Sequence, residues 1–317
     1  MEFGITFPRD GIARQRSPLG YLTEFARAAE DMGCTYGVIG DRLESGLDPL
    51  ITFAAVAGVT ERLKLVTSVV VLPPRGVMVT AKQFAAVDVL TGGRVIAGVG
   101  TGSLFRDYQV VGLDAADMWP RFEDAVLAMR AYLTPGSPPH AGPFYDTTGV
   151  QMDPQSVQRP SVPIWIGSWG SKVGLRRVAR LADGWLSSAG PGHQTPEQFT
   201  RDVAMLNGFL LEEGKAPDSF PNGVSTMALY ISEDPYELAL HGGPGYVRRP
   251  EGVGVEQPAG RPQDDPHAHD MVGTRAVCID KVRRWQAAGA QALHLVPRGP
   301  DPLGQMRLFL SEVASQV

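Results

Sequence analysis

Between an apolar stretch ending at Ile166 and a segment where Val173, Leu175, Val178 and Leu181 recur at helical spacing stands Gly167-Ser168-Trp169-Gly170-Ser171. The chemistry that suits it is anion binding. Gly167 and Gly170 let the backbone approach a ligand closely, and the first amides of a helix opening near Ser171 have no carbonyl partner within that helix. Those amides, the helix dipole and the hydroxyls of Ser168 and Ser171 would together hold a phosphate. The plainer use is a capped helix start, since serine is a favoured N-cap.

A second glycine set, Gly98-Val99-Gly100-Thr101-Gly102, closes another apolar run and offers a ledge free of side chains over which a flat ring can lie. Its G-x-G-x-G spacing, with no helix directly after it, is not a dinucleotide fingerprint. Tight packing is the alternative use. Thr67 and Ser68 are the small polar residues of "LVTSVVVLPPR" (65–75), where a bulge would press against a ring. Asp41, directly after an apolar run, is a candidate catalytic carboxylate, although isolated aspartates more often cap loops or pair with a neighbour such as Arg42. His193 lies between strand and helix patterns and is the second catalytic candidate, whereas His294 falls inside a strand pattern. His267 and His269, spaced i, i+2 in the Pro-rich "DDPHAHD", lack a preorganising element, so no metal site is expected. No Ser-His-Asp order or Gly-Lys-Ser/Thr phosphate loop stands out.

What positions these residues is a repeat of strand and helix. Strands are predicted at 2–7, 36–40, 63–72, 95–100, 162–167, 184–187, 224–232 and 292–296. Helices are predicted at 19–32, 50–59, 77–90, 119–133, 171–181, 196–213, 275–288 and 302–317. Roughly eight such units close a parallel barrel. The joints from helix to strand are nearly all tight. Those from strand to helix (8–18, 41–48, 101–118, 188–195, 233–274) are long, and a barrel gathers them at the C-terminal face where such folds work. The expected class is therefore α/β, a (β/α)8 TIM barrel forming one domain over 1–317. Residues 233–274 make a lid-like insertion at its C-terminal face. A doubly wound open sheet would also give the repeat, and two separate domains fit less well because no linker interrupts it.

The composition bounds the partners. A formal charge of −5 over 317 residues gives no general attraction to nucleic acid or anionic membranes. Hydrophobic residues at 43% allow a large core. Cys34 and Cys278 form neither a disulfide framework nor a zinc knuckle. No run approaches the ~20 apolar residues of a membrane span, and with no signal segment at the start a cytoplasmic protein is expected.

Several strings together, "FARAAEDMGCTYGVIGD", "LTGGRVIAGVGTG", "PIWIGSWG" with "RRVARLADGW", and "KVRRWQAAGAQALHLVP", resemble the bacterial luciferase-like family of flavin- and deazaflavin-dependent oxidoreductases, over nearly the whole chain. The resemblance implies a (β/α)8 barrel with an isoalloxazine or deazaflavin ring at the C-terminal face, the coenzyme being FMN or an 8-hydroxy-5-deazaflavin. It implies a phosphate at Gly167-Ser168 and Gly170-Ser171, and a non-prolyl cis peptide at Ser68-Val69, after Thr67, supporting the ring from behind. Asp41 matches an aspartate that many relatives follow with histidine; here Arg42 stands instead. Where relatives often have Gly-x-Gly-Trp and then Glu, this chain has Gly100-Thr101-Gly102-Ser103 and then Asp107.

The activity expected is hydride transfer between a deazaflavin coenzyme and a small organic substrate. The alternatives are a monooxygenase using reduced FMN from a separate reductase, with the insertion shielding the flavin, a flavin-binding protein without turnover, and a barrel acting on sugar phosphates. Arg248, Arg249, Arg261, Lys172 and Arg176 are candidate cations for an acidic coenzyme tail. Trp119, Trp169, Phe105, Tyr108 and Met118 are candidate substrate contacts, and Trp285 with the last helix a candidate homodimer surface.

Overall fold

The β-branched and apolar runs become strands because each is buried on both sides, the pattern of parallel sheets covered by helices. The computed structural model describes residues 1–8, 12–189, 194–242 and 270–317. Its strands are β1 (Glu2–Thr6), β2 (Tyr36–Ile39), β3 (Lys64–Thr67), β4 (Val70–Val71), β5 (Val95–Gly100), β6 (Ile164–Gly167), β7 (Gly184–Ser188), β8 (Asn222–Ile231), β9 (Met271–Gly273) and β10 (Ala292–Pro297). They pair in parallel in the order β1, β2, β3, β5, β6, β7, β8, and β10 pairs with both β8 and β1 to close the ring. β4 continues β3 along β5, and β9 lies outside the ring against β8. That leaves eight positions, a (β/α)8 TIM barrel.

Helices Pro18–Asp31, Pro49–Ala57, Val77–Thr91, Met118–Leu133, Lys172–Leu181, Pro196–Glu212, Arg275–Ala287 and Pro302–Glu312 cover the outside. Their starts are written locally. Ser17, Asp48, Ser171, Thr195, Thr274 and Asp301 accept bonds from first-turn amides, and Pro18, Pro49, Pro196 and Pro302 sit where a missing N–H costs nothing. The outer core between strands and helices holds Phe7, Phe25, Phe53, Phe84, Phe122, Trp185, Phe199 and Phe309. A second cluster, Tyr36, Val38, Val66, Ile96, Trp165, Leu186 and Ala292, fills the barrel itself.

Three expectations change. The strand over 63–72 splits: a cis peptide links Ser68 to Val69, and pairing with β5 resumes only at Val70↔Val99. The final helix ends at Glu312, followed by a 3-10 turn at Ala314–Gln316. Trp285 is no dimer surface, since it is 1% exposed and its ring meets Phe199 edge-on at 5.7 Å. The helix Phe105–Gln109 and β9 were not foreseen, being too short to carry a period.

The Pro- and Gly-rich excursion over 134–159 is pinned by two buried aspartates. Asp124 accepts from the amides of Phe144 and Tyr145 and bonds His140 Nε2 at 2.6 Å. Asp88 accepts from Ser156 Oγ, the amides of Val157 and Gln158, and Gln158 Nε2. No helix among the described residues is long and apolar enough to cross a membrane. His267 and His269 lie outside the described residues.

His294 is the buried histidine of the barrel interior. It packs on Tyr36 at 5.2 Å, bonds Ser225 Oγ through Nδ1 at 2.9 Å, and has no exposed surface. Burial lowers its pKa from 6.5 to about 3. As pH falls below 6.5 the unfolded chain takes up this proton first, so stability declines between pH 6.5 and 3. The expected slope from this residue is about 1.4 kcal/mol per pH unit. His294→Gln should remove it; an unchanged slope in urea unfolding at graded acid pH would exclude His294 as the cause.

Candidate active site at the C-terminal mouth

The centre of the mouth is built by glycines giving way to a bulge. Thr67 is fully buried and donates its hydroxyl to Gly98 O at 2.7 Å. After the cis bond, Val69 enters a slot that side chains on two neighbouring strands would close. A Cβ on Gly100 would lie 2.7 Å from Val69 Cγ2, and one on Gly167 3.0 Å from Val69 Cγ1. Gly102, at φ +75°, makes the same room for Val71, 2.8 Å from where its Cβ would be. The glycine ledge read from the sequence is thus first a cradle for Val69 and Val71. An apolar side chain held rigidly at the middle of the mouth is a support for a flat ring.

Asp41 leaves β2 with its side chain 1% exposed. Arg75, at the end of the helical turn Leu72–Arg75, grips it with two bonds, Nε to Oδ2 at 2.5 Å and Nη2 to Oδ1 at 2.7 Å, and Val71 N donates a third at 3.1 Å. The remaining fork nitrogen reaches Asp48 Oδ2 at 2.7 Å. Burial alone would raise the Asp48 pKa, but the amide of Ile51, then Arg75 and the amide of Leu50, outweigh it and hold the carboxyl below its ordinary value. Arg75, a residue the sequence reading passed over, therefore ties the β2 loop to the end of β4. Arg42, the expected partner of Asp41, is exposed instead.

At the other side, Ser171 caps Lys172–Leu181 by accepting from Gly174 N at 3.1 Å. The amides of Lys172 and Val173 precede the first intrahelical bond, Leu175 N to Ser171 O. Ser168 Oγ leans over the same end, 2.4 Å from the position a Cβ on Gly174 would take. Trp185 Nε1 fixes the turn by donating to Ser168 O at 3.0 Å. Gly170, at φ +83°, is hemmed by Asp202, whose Oδ2 lies 1.9 Å from where a Cβ would be. Of the expected cations, Lys172 is exposed, while Arg176 turns to Glu212 at 3.6 Å and over the Phe209 ring. Arg248, Arg249, Arg261 and the catalytic candidate His193 lie outside the described residues.

Among the aromatic candidates, Tyr108 belongs to the core, fully buried with its hydroxyl on Thr101 O at 3.0 Å. Trp119 is 44% exposed but carries the Arg177 guanidinium over its ring at 4.2 Å. Phe105 is exposed beside the mouth. Asp107, noted in the sequence only as a departure from the family pattern after Gly102, is buried, which no local pattern shows.

The fold is a (β/α)8 barrel whose glycine cradle and Asp41–Arg75 fork gather at the C-terminal ends of its strands. The chain belongs to the luciferase-like monooxygenase family, whose family model matches residues 1–292. An uncharacterised protein of Mycobacterium tuberculosis is 32% identical over 169 residues, 53% of this chain and 56% of its own. The chain thus spans little more than half the length of the mycobacterial relatives it matches. An F420-dependent glucose-6-phosphate dehydrogenase of Nocardia farcinica is 33% identical over 233 residues, 69% of this chain and 67% of its own. Among solved structures, a monooxygenase from Streptomyces bottropensis superposes with a TM-score of 0.78 at 21% identity, over 99% of each chain. The oxygenating constituent of 3,6-diketocamphane monooxygenase from Pseudomonas putida, in complex with FMN, gives 0.78 at 18% identity over 100% of this chain and 99% of its own. At such identities the structural likeness establishes the fold.

Proposed function

We propose that the protein transfers hydride between a deazaflavin coenzyme and a small organic substrate. The observation that carries this reading is the Ser68-Val69 bulge, seated in the slot left by Gly100 and Gly167. The residues present fit a flavin-type coenzyme: Val69 for one ring face, and for a phosphate the Ser168 and Ser171 hydroxyls with the amides of Lys172 and Val173. Similarity to the Nocardia dehydrogenase favours a deazaflavin over FMN. When bound, the ring supplies or accepts the hydride. The chain's own work is to hold the ring, seat the phosphate and exclude water. In this reading Asp41 is a positioning residue that acts through Arg75, and His193, outside the described residues, is the remaining catalytic candidate. The protein works as a cytoplasmic homodimer.

Parallel titration of the purified apo-protein with FMN and with the deazaflavin coenzyme, followed by absorbance and tryptophan fluorescence, tests the proposal. Tight deazaflavin and weak FMN binding is expected. The reverse would replace it with an oxygen-using FMN enzyme fed by a separate reductase, and binding of neither would end the coenzyme reading.

The phosphate assignment has its own test. Gly170 is a poor probe because any side chain there displaces Asp202. Ser168→Ala removes one hydroxyl that serves no helix cap, so stability should change by less than about 0.5 kcal/mol. Loss of a hydrogen bond to a charged phosphate should weaken coenzyme binding roughly tenfold. Unchanged affinity would move the phosphate elsewhere.

A further inference from the structure

We propose, on the reading just given, that Asp107 is the acid of this site, exchanging with the substrate the proton that accompanies hydride transfer. It lies on Phe105–Gln109, the short helix that follows the Gly100-Thr101-Gly102 ledge and is clamped to it by the Tyr108 hydroxyl. The turn Leu72–Arg75 packs against the same helix. The charges that face Asp107 are Arg42, Asp41 and Glu44, all on the loop after β2. β3 stands between β2 and β5 in the ring. A carboxyl fixed from both flanks therefore sits over the end of β3, where Ser68 and Val69 support the ring.

Its burial is unlike that of its neighbours. Asp107 is 2% exposed, yet its Oδ1 is buried without a hydrogen-bond partner. Asp41, Asp88, Asp124 and Asp270 are also buried, and each accepts bonds from named donors. On its own helix, Arg106 is drawn off to Glu44 at 2.6 Å and Tyr108 to Thr101. Burial raises the Asp107 pKa most, Arg42 opposes this, and Asp41 and Glu44 add to it. A buried carboxylate oxygen without a donor is costly, which favours the protonated form of Asp107. A proton on Oδ1 would find no acceptor among the described residues, and a substrate over β3 would supply one.

The step balances. In reduction, the hydride that the reduced coenzyme would supply forms a C–H bond on the substrate, one bond of the substrate's double bond opens, the Asp107 O–H bond breaks, and its proton goes to the substrate atom that gained the electrons. Water reprotonates the carboxylate left behind. In oxidation the same proton returns.

The test joins an infrared arm to a kinetic one. Wild-type holoprotein at neutral pH should show a carboxylic-acid C=O band that is absent in Asp107→Asn and moves when the coenzyme binds. Asp107→Asn should bind coenzyme within about threefold of wild type. It should reduce 2-cyclohexen-1-one about 10²–10⁴-fold more slowly, with the acid-dependent limb of the rate profile gone and restored in part by Asp107→Glu. A missing band, a band unmoved by coenzyme, or an Asn variant turning over within about threefold of wild type overturns the assignment. Should the Asn variant fail to fold, Asp107→Ser identifies the band instead. If the wild type turns the enone over too slowly to measure, the infrared arm decides alone. Wild-type protein that binds neither coenzyme would bring down the coenzyme reading first, a result distinct from any of these.

Discussion

Gly98→Ala is expected to destabilise the protein by about 3 kcal/mol or more and to abolish coenzyme binding. The added Cβ would stand 1.7 Å from the carbonyl oxygen of Thr67 and 2.8 Å from Leu186 Cδ1. Leu186 can change rotamer, but Thr67 cannot retreat. Its hydroxyl is tied to Gly98 O, and β3 is paired on its other edge with β2 at Ile39↔Thr67. Relief must come from separating β3 from β5, which moves Val69 out of its slot. Gly208→Ala provides the control, since nothing lies within 4 Å of its Cβ position on the helix Pro196–Glu212. That change should stabilise by roughly 0.5–1 kcal/mol. Urea unfolding of both variants beside coenzyme titration checks the pair; a well-folded Gly98→Ala protein with full affinity would show that the close approach is unimportant.

Arg75→Ala should cost about 3–5 kcal/mol, because it strands the buried Asp41 carboxylate with one amide donor in place of three bonds. Truncating Asp41 to Ala should cost less, since Arg75 keeps Asp48 and is 14% exposed at its side chain. Arg75→Lys should recover little, as an ammonium cannot span both oxygens of Asp41 and reach Asp48 as well. Both Arg75 variants should lower coenzyme affinity at least tenfold by freeing the end of β4 beside Val69. Unfolding midpoints and titrations decide; a lysine variant equal to wild type would reduce the fork to a simple charge.

The barrel was legible because its determinants are local. Caps such as Ser171 and Asp48, prolines at helix starts, and apolar runs that change period at each joint act within a few residues, so helix and strand positions followed within a residue or two, the strand over 63–72 and the end of the final helix excepted. Strand 63–72 was misread as continuous because its break comes from contact with Gly98 and Gly100, some thirty positions along the chain. The same holds for the site. Gly167, Ser168 and Ser171 announced themselves by spacing, and Ser68-Val69 by family resemblance. The grip of Arg75 on Asp41 and the burial of Asp107 depend on loops from different strands meeting over the mouth. Nothing in either loop alone encodes that meeting.

The pairing of β9 with β8 has a consequence for how such a protein can diversify. Chain leaving at Ile231 returns at Met271 beside Leu229, and Ser232 N bonds Gly273 O at 3.2 Å, so both ends of the segment between them are held by one strand. Closing a loop whose ends are already adjacent costs only about 0.6 kcal/mol more for each doubling of its length. The pairing of Leu229 with Met271 therefore lets the chain between these two strands differ in length with little strain on the ring, provided the contacts of Glu237 and His241 with Tyr230 are kept.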